Sequence, residues 1–207
     1  MILAGEDMQL SIFEQALERN SANFEPLSPI SFLRRAAQVA PHHTAIIHGK
    51  RRTSYLQFWE RSCRLASALA ARGISPGDCV AIMAANTPEM LEAHNGVPLL
   101  GAVLNSLNVR LDSATIAFIL DHGEARAVLT DRAFSATMRE ALALVERPLL
   151  VIDIDDPQAE TGECIGITDY ESFIADGNPD FSADQPIDEW QALSLLYTSG
   201  TTGNPKG

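Results

Sequence analysis

Asp78-Cys79-Val80-Ala81-Ile82-Met83-Ala84-Ala85-Asn86-Thr87-Pro88 joins a short apolar run to a helix-start signal within eleven residues. Cys79 to Met83 is too short and too uniformly apolar for a surface helix, which predicts a buried strand. Thr87 is a favoured N-cap. Pro88 suits the first helical position, where its fixed φ and missing donor cost nothing. The alternation then repeats. Val103-Leu104 is a second strand, and Asp112 caps a helix carrying Ile116, Ile119 and Leu120 on one face, with Gly123 as its stop. Ala127-Val128-Leu129 is a third strand, residues 134–145 a helix, and Leu149-Leu150-Val151-Ile152 a fourth strand. Strands and helices at this spacing predict an α/β lobe over residues 75–153, built on a mostly parallel sheet with flanking helices.

Outward toward the N-terminus, residues 55–71 form the clearest helix. Ser54 and Gln57 make a capping-box pair, and Gly73 sits where a left-handed residue ends a helix. Leu56, Trp59, Cys63, Ala66 and Ala70 recur at helical spacing and read as a core-facing stripe. Ala45-Ile46-Ile47-His48, Gly49-Lys50 and Arg51-Arg52-Thr53 read as strand, tight turn and return strand. Before them, Ser31 is positioned to cap a short helix over residues 32–39, and residues 1–24 read as a polar, partly helical leader. Toward the C-terminus, residues 154–190 are acidic and rich in Pro and Gly, and read as a connector running over the surface. Residues 192–207 then combine an apolar strand, 192–197, with a hydroxyl- and glycine-rich loop.

The chain has 207 residues, 46% hydrophobic and 20% charged, ample for a buried core. Asp and Glu number 27 against 15 Lys and Arg, a net charge of −12, so no basic excess exists to displace counterions from nucleic acid or an anionic bilayer. Cys63, Cys79 and Cys164 are too few and too scattered for a disulfide framework or a zinc cluster. The first residues are acidic where an export signal is basic. The longest apolar run, 97–104, is broken by Gly101 and too short to span a membrane. These features lead to the expectation of a soluble protein in a reducing cytoplasm.

The terminal loop, Tyr197-Thr198-Ser199-Gly200-Thr201-Thr202-Gly203-Asn204-Pro205-Lys206-Gly207, holds one of only two lysines in the chain. Glycines let backbone N–H groups approach an anion, hydroxyls supply rotatable donors, and the lysine adds a point charge, which is the chemistry polyphosphate binding requires. In open α/β sheets, ligands sit beyond the carboxyl ends of the strands, where a strand-to-loop junction such as this belongs. It is not a Walker A loop, because Pro205-Lys206-Gly207 stands where Gly-Lys-Ser/Thr and a helix are needed. On residue types alone, a polar linker or hairpin turn fits equally well.

The order of these eleven residues resembles the signature of the adenylate-forming (AMP-binding) superfamily, which contains acyl-CoA synthetases, firefly luciferases and peptide-synthetase adenylation domains. Pro29-Ile30-Ser31-Phe32-Leu33 and Val97-Pro98-Leu99-Leu100-Gly101-Ala102-Val103-Leu104-Asn105-Ser106-Leu107-Asn108-Val109-Arg110-Leu111-Asp112 are similar to its acyl-activating branch of short- and medium-chain acyl-CoA ligases. The resemblance implies that residues 25–207 are part of the large N-terminal domain of such an enzyme, acting in fatty acid metabolism. It also implies a two-step reaction. A small carboxylate attacks the α-phosphate of Mg-ATP, releasing pyrophosphate, and coenzyme A then displaces AMP from the acyl-adenylate. Carried over by position, Thr198, Ser199, Gly200, Thr201, Thr202, Gly203 and Lys206 would bind the ATP phosphates, and Thr198 would help to hold Mg²⁺.

The resemblance also implies what lies elsewhere. The catalytic lysine, the adenine-binding segment and the acyl pocket are expected beyond Gly207, so no catalytic residue falls within the chain. The 207 residues alone are expected to be inactive, needing the remainder of a ligase or a homodimer partner, and to associate through the face meant for the missing half. A non-catalytic nucleotide-binding fragment and a peptide-synthetase adenylation domain remain alternatives. Asp153-Ile154-Asp155-Asp156-Pro157 lacks the Gly and Asp/Asn of a calcium loop; His42 and His43 read as exposed loop residues, His94 as packed or hydrogen-bonded within the helix after Thr87, and His122 as a helix-end residue.

Overall fold

The computed structural model of the chain describes residues 11–13, 15–17, 20, 22–159, 161–182, 189–198 and 205–207. Helix α1 spans Pro29–Val39. Its cap is Ser28, whose hydroxyl accepts from the Ile30 N–H at 3.4 Å, because Pro29 fits the first helical turn. Ser31, the cap expected from sequence, instead donates its hydroxyl to the Ser28 carbonyl at 2.6 Å. Strands β1 (Thr44–His48) and β2 (Arg51–Ser54) pair antiparallel about the expected two-residue turn, with Gly49 at φ +56°.

Helix α2 (Tyr55–Ala71) starts with both arms of the capping box, Gln57 N–H to Ser54 Oγ and Ser54 N–H to Gln57 Oε1. It ends in a Schellman motif. Gly73, at φ +80°, donates to the Ala70 carbonyl, and Ile74 donates to the Leu69 carbonyl. The buried face is Phe58, Ser62, Cys63, Leu65, Ala66, Ala68 and Leu69, wider than the stripe read from sequence and rotated from it. The cause is tertiary, because α2 is packed by neighbouring helices on more than one side.

The sheet that follows contains β3 (Cys79–Met83), β4 (Val103–Ser106), β5 (Ala125–Asp131), β6 (Leu150–Ile154), β7 (Thr168–Asp169) and β8 (Ser194–Leu195), in the order β7-β6-β5-β3-β4-β8. Every pair is parallel. Between the strands run α3 (Pro88–Leu99), α4 (Ser113–His122), α5 (Ser135–Leu142) and, after β7, α6 (Tyr170–Ala175). Val80, Ile82, Leu104 and Leu129 pack with α1, α2, α3 and α6 on one face. Cys79, Ala81, Met83 and Val128 pack with α4 and α5 on the other. A strand covered on both faces buries every side chain, so β3 reads as an unbroken apolar run.

Thr87 and Asp112 cap α3 and α4 as expected, accepting from Met90 and Thr115. The helix expected over 134–145 instead begins with a 3₁₀ turn, Arg132–Phe134, capped by Asp131, and becomes α-helical at Ser135. The segment read as a surface connector contributes β7 and α6 to the sheet and core. Asp153 is buried and accepts from the Ile165 and Gly166 N–H groups at 3.0 and 2.6 Å, Asp169 caps α6, and Tyr170 is fully enclosed. Asp153 belongs to the preceding strand β6; within the segment, Asp156 accepts from the Gln158 N–H and Asp169 caps α6, local roles rather than a solvated charge run. The described residues of 11–24 form turns without helix, and the rest of the leader lies outside the described residues. No helix among the described residues is long and apolar enough to cross a membrane.

Glu124, between α4 and β5, holds φ +51°, a left-handed conformation that strains any residue with a Cβ. Glu124→Gly removes that strain while loosening the unfolded chain, so a net gain of about 0.5–1 kcal/mol is expected. A urea titration that shows a loss of stability would contradict this assignment of strain.

Candidate functional site

The terminal loop leaves the sheet from β8, the edge strand beside β4. Its stem is closed. Thr198 N–H donates to the Lys206 carbonyl at 2.9 Å and Lys206 N–H returns to the Thr198 carbonyl at 3.1 Å, an isolated antiparallel bridge. Residues exchanging both bonds across an antiparallel pair carry their side chains on the same face, about 5.5 Å apart at Cα. The Thr198 hydroxyl and the Lys206 side chain therefore leave the stem together, and both residues are exposed. Lys206 makes no ion pair with a described residue. Ser199, Gly200, Thr201, Thr202 and Gly203, assigned to phosphate binding by sequence, lie outside the described residues.

The stem is seated at a place sequence reasoning did not anticipate. Tyr197 Oη and His122 Nδ1 are 2.6 Å apart, with the two rings edge-on at 80°. His122 ends α4 and stands just before β5, so this contact is at the amino end of β5 rather than over the carboxyl ends of the central strands. A cavity of about 690 Å³ opens there, lined among others by Arg72, Arg126, Arg147, His122, Tyr197 and Gly207. Arg126 is paired with Asp78 at 2.7 Å.

At the carboxyl ends lies a second polar constellation. Arg61 Nε donates to Glu92 at 2.6 Å and both terminal nitrogens donate to Glu171 at 2.8 and 2.6 Å; Tyr170 Oη donates to the second oxygen of Glu92 at 2.8 Å. Arg51 donates to Glu89 at 2.8 Å. Burial pushes the Glu92 carboxyl up despite Arg61, whereas the hydrogen bonds from Arg61 hold Glu171 below the usual carboxylate range. Nearby, burial also raises Asp131, against the Ala133 and Ala85 N–H groups that favour its charged form. For Asp156 burial works in the same direction, but the Gln158 N–H and His48 outweigh it and its pKa is lowered. These groups come from β1, β2, α2, α3, β5 and the 154–171 segment, too far apart in sequence to be read as a cluster. Each carboxylate named has partners, which marks the cluster as cement between elements rather than a reactive centre.

No group of three or more His, Cys, Asp or Glu among the described residues is arranged to hold a metal ion. Mg²⁺ is commonly held by one or two protein oxygens together with substrate phosphates and water. The exposed Thr198 hydroxyl, which among the described residues makes a 3.4 Å donation to the Lys206 carbonyl, fits that modest requirement. Burial raises Cys63 to about 12 and Cys79 to about 11, which leaves both protonated and unreactive.

Residues 33–207 match the family model described as AMP-binding enzyme. The chain is 43% identical over 203 residues to a peroxisomal acetate/butyrate–CoA ligase of Arabidopsis thaliana, covering 92% of this chain and 36% of that protein. It is 44% identical over 203 residues to an acetate–CoA ligase of Humulus lupulus, again covering 92% and 36%. The chain thus spans about a third of the length of the curated relatives it matches. Its fold superposes on the crystal structure of an anthranilate CoA ligase bound to anthranoyl-AMP, with a TM-score of 0.79 at 21% identity, over 90% of this chain and 35% of that one. The Arabidopsis relative and several others are named as peroxisomal, which overturns the cytoplasmic address expected from the cysteine count and the N-terminal residues. Amino-acid composition carries no information about which compartment a receptor-read address selects.

Proposed function

The chain belongs to the AMP-binding enzyme family, and on that premise we propose that it is the phosphate-gripping front portion of an AMP-forming carboxylic acid–CoA ligase. The observation that carries this reading is the closed stem, which presents the Thr198 hydroxyl and the Lys206 side chain on one face. In this reading residues 75–153 are the α/β lobe, and residues 192–207 are the strand plus phosphate loop.

The chain's own task is to hold the β- and γ-phosphates of ATP while a carboxylate oxygen bonds to the α-phosphorus and the bond to pyrophosphate breaks. Negative charge accumulates on the departing pyrophosphate. The Lys206 ammonium, the Thr198 hydroxyl and the groups of Ser199, Gly200, Thr201, Thr202 and Gly203 neutralise it. Mg²⁺, held in part by Thr198, supplies further charge compensation when bound. The sulfur of coenzyme A then bonds to the acyl carbon and AMP leaves, a step assigned to the parts of the parent protein beyond these residues. The CoA-ligase relatives favour coenzyme A over a carrier protein as acceptor, and so favour this reading over a peptide-synthetase domain.

Two measurements test the reading. For the parent protein, acid-dependent release of pyrophosphate from ATP is expected with one or more of acetate, butyrate, benzoate and cinnamate; release with none of them would count against a carboxylic acid ligase. For this chain, Lys206→Met is expected to weaken Mg-ATP binding about 10- to 100-fold, the loss of one charge-assisted contact of about 1.5–3 kcal/mol. Calorimetric titration giving the same affinity for both would remove Lys206 from the phosphate site.

A further inference from the structure

The foot of the loop rests on one imidazole. His122 is held from behind by Phe118, one helical turn earlier in α4, with ring centroids 5.2 Å apart and planes inclined by 25°. From the front, Tyr197 meets it edge-on at 5.7 Å, with the 2.6 Å contact between Tyr197 Oη and His122 Nδ1. Tyr197 is bonded to Thr198, the first residue of the stem bridge. Its ring also touches the returning limb. A Cβ placed on Gly207 would lie 2.8 Å from Tyr197 Cζ, so only a glycine lets that limb approach so closely. One tyrosine thus contacts both limbs of the stem, and one histidine fixes the tyrosine.

We propose that His122, braced by Phe118, is the positioning residue of the phosphate loop, acting through Tyr197; this inference rests on the reading of that loop as the ATP-phosphate site. When the imidazole proton is on Nε2, the Tyr197 hydroxyl donates to Nδ1 and the ring orientation is set by the two aromatic contacts. The hydrogen bond sets where the stem stands, and the stem sets where the Thr198 hydroxyl and the Lys206 side chain leave the chain. A misplaced stem weakens phosphate binding without removing any group that touches phosphate.

The test uses this chain with His122→Phe, which keeps the stack and loses the polar atom, His122→Asn, which retains a polar atom near the place of Nδ1, and Tyr197→Phe. Two readouts are taken: pyrophosphate affinity by calorimetry, and hydrogen exchange of the Thr198 and Lys206 amides by NMR. His122→Phe and Tyr197→Phe are expected to speed exchange of those two amides at least about threefold and to weaken pyrophosphate about 5- to 10-fold. His122→Asn should stay near the native values, and the double Phe variant should be no worse than either single one. Amides of the sheet should be unchanged in all of them, which separates positioning from general destabilisation. If stem exchange in His122→Phe matches the native chain, the proposal is overturned. If the native chain binds no pyrophosphate while stem exchange still responds, the anchoring role stands and the phosphate-site reading fails instead.

Discussion

Arg61→Ala is expected to cost the chain about 3–5 kcal/mol, because it strands a buried carboxylate. Glu92 is fully enclosed, and its compensation comes from Arg61 at 2.6 Å and the Tyr170 hydroxyl at 2.8 Å. Arg61 also ties α2 to α6 through Glu171, so its removal opens two contacts at once. The loss has a definite pH dependence. A carboxyl whose folded pKa lies above its unfolded value contributes stability that is present below the unfolded pKa and lost as pH rises through the folded one. Glu92 is of this kind, and without Arg61 its pKa moves further upward. Glu171 is depressed, so it contributes stability present above its unfolded pKa and lost as pH falls through the folded one; Arg61→Ala forfeits that contribution at neutral pH. Both effects act in one direction, and the deficit of the variant should be largest near neutrality and shrink as the solution is acidified. Urea midpoints at neutral and mildly acidic pH read this out. An Arg61→Ala midpoint equal to the native one at neutral pH would mean that Glu92 is solvated.

Gly96→Val should cost about 2–3 kcal/mol by overpacking, although valine is a better helix former than glycine. A Cβ at position 96 of α3 would stand 2.8 Å from the Ser62 carbonyl oxygen and 2.9 Å from Leu65 Cδ2, both on α2. The obstacle is partly backbone, so no rotamer change relieves it. At about 2–4 °C per kcal/mol for a domain of this size, the melting temperature should fall by about 4–12 °C. Gly96→Ala gives the cleaner sign. Helix propensity alone raises stability by about 1 kcal/mol, so a stabilised alanine variant would show that the two helices can part without cost.

These two residues mark the limit of what was legible in the chain. Gly96 stands in a helix whose start was plain from Thr87 and Pro88, yet nothing local says that another helix passes against it. Arg61, Glu92 and Glu171 are ordinary surface-type residues at their own positions, and only the arrangement of α2, α3 and α6 converts them into a buried network. The acidic 154–190 segment failed for a related reason. Asp156 and Asp169 look like solvent-exposed charge until the N–H groups they accept from are in place. The loop was legible as a motif through the order of residues 197–207, whereas its seat on His122 joins positions 75 residues apart.

The sequence by itself determined the local elements and the alternation that makes the sheet parallel. Caps, turn glycines and apolar runs act between residues a few places apart, and their free energies are set before any distant contact forms. It also determined the family, through a run of eleven residues whose order is specific. The tertiary structure alone decided which side of α2 is buried, which charges become internal, and where the foot of the loop rests. Those outcomes depend on desolvation and close packing between segments distant in sequence, quantities that exist only once the chain has folded.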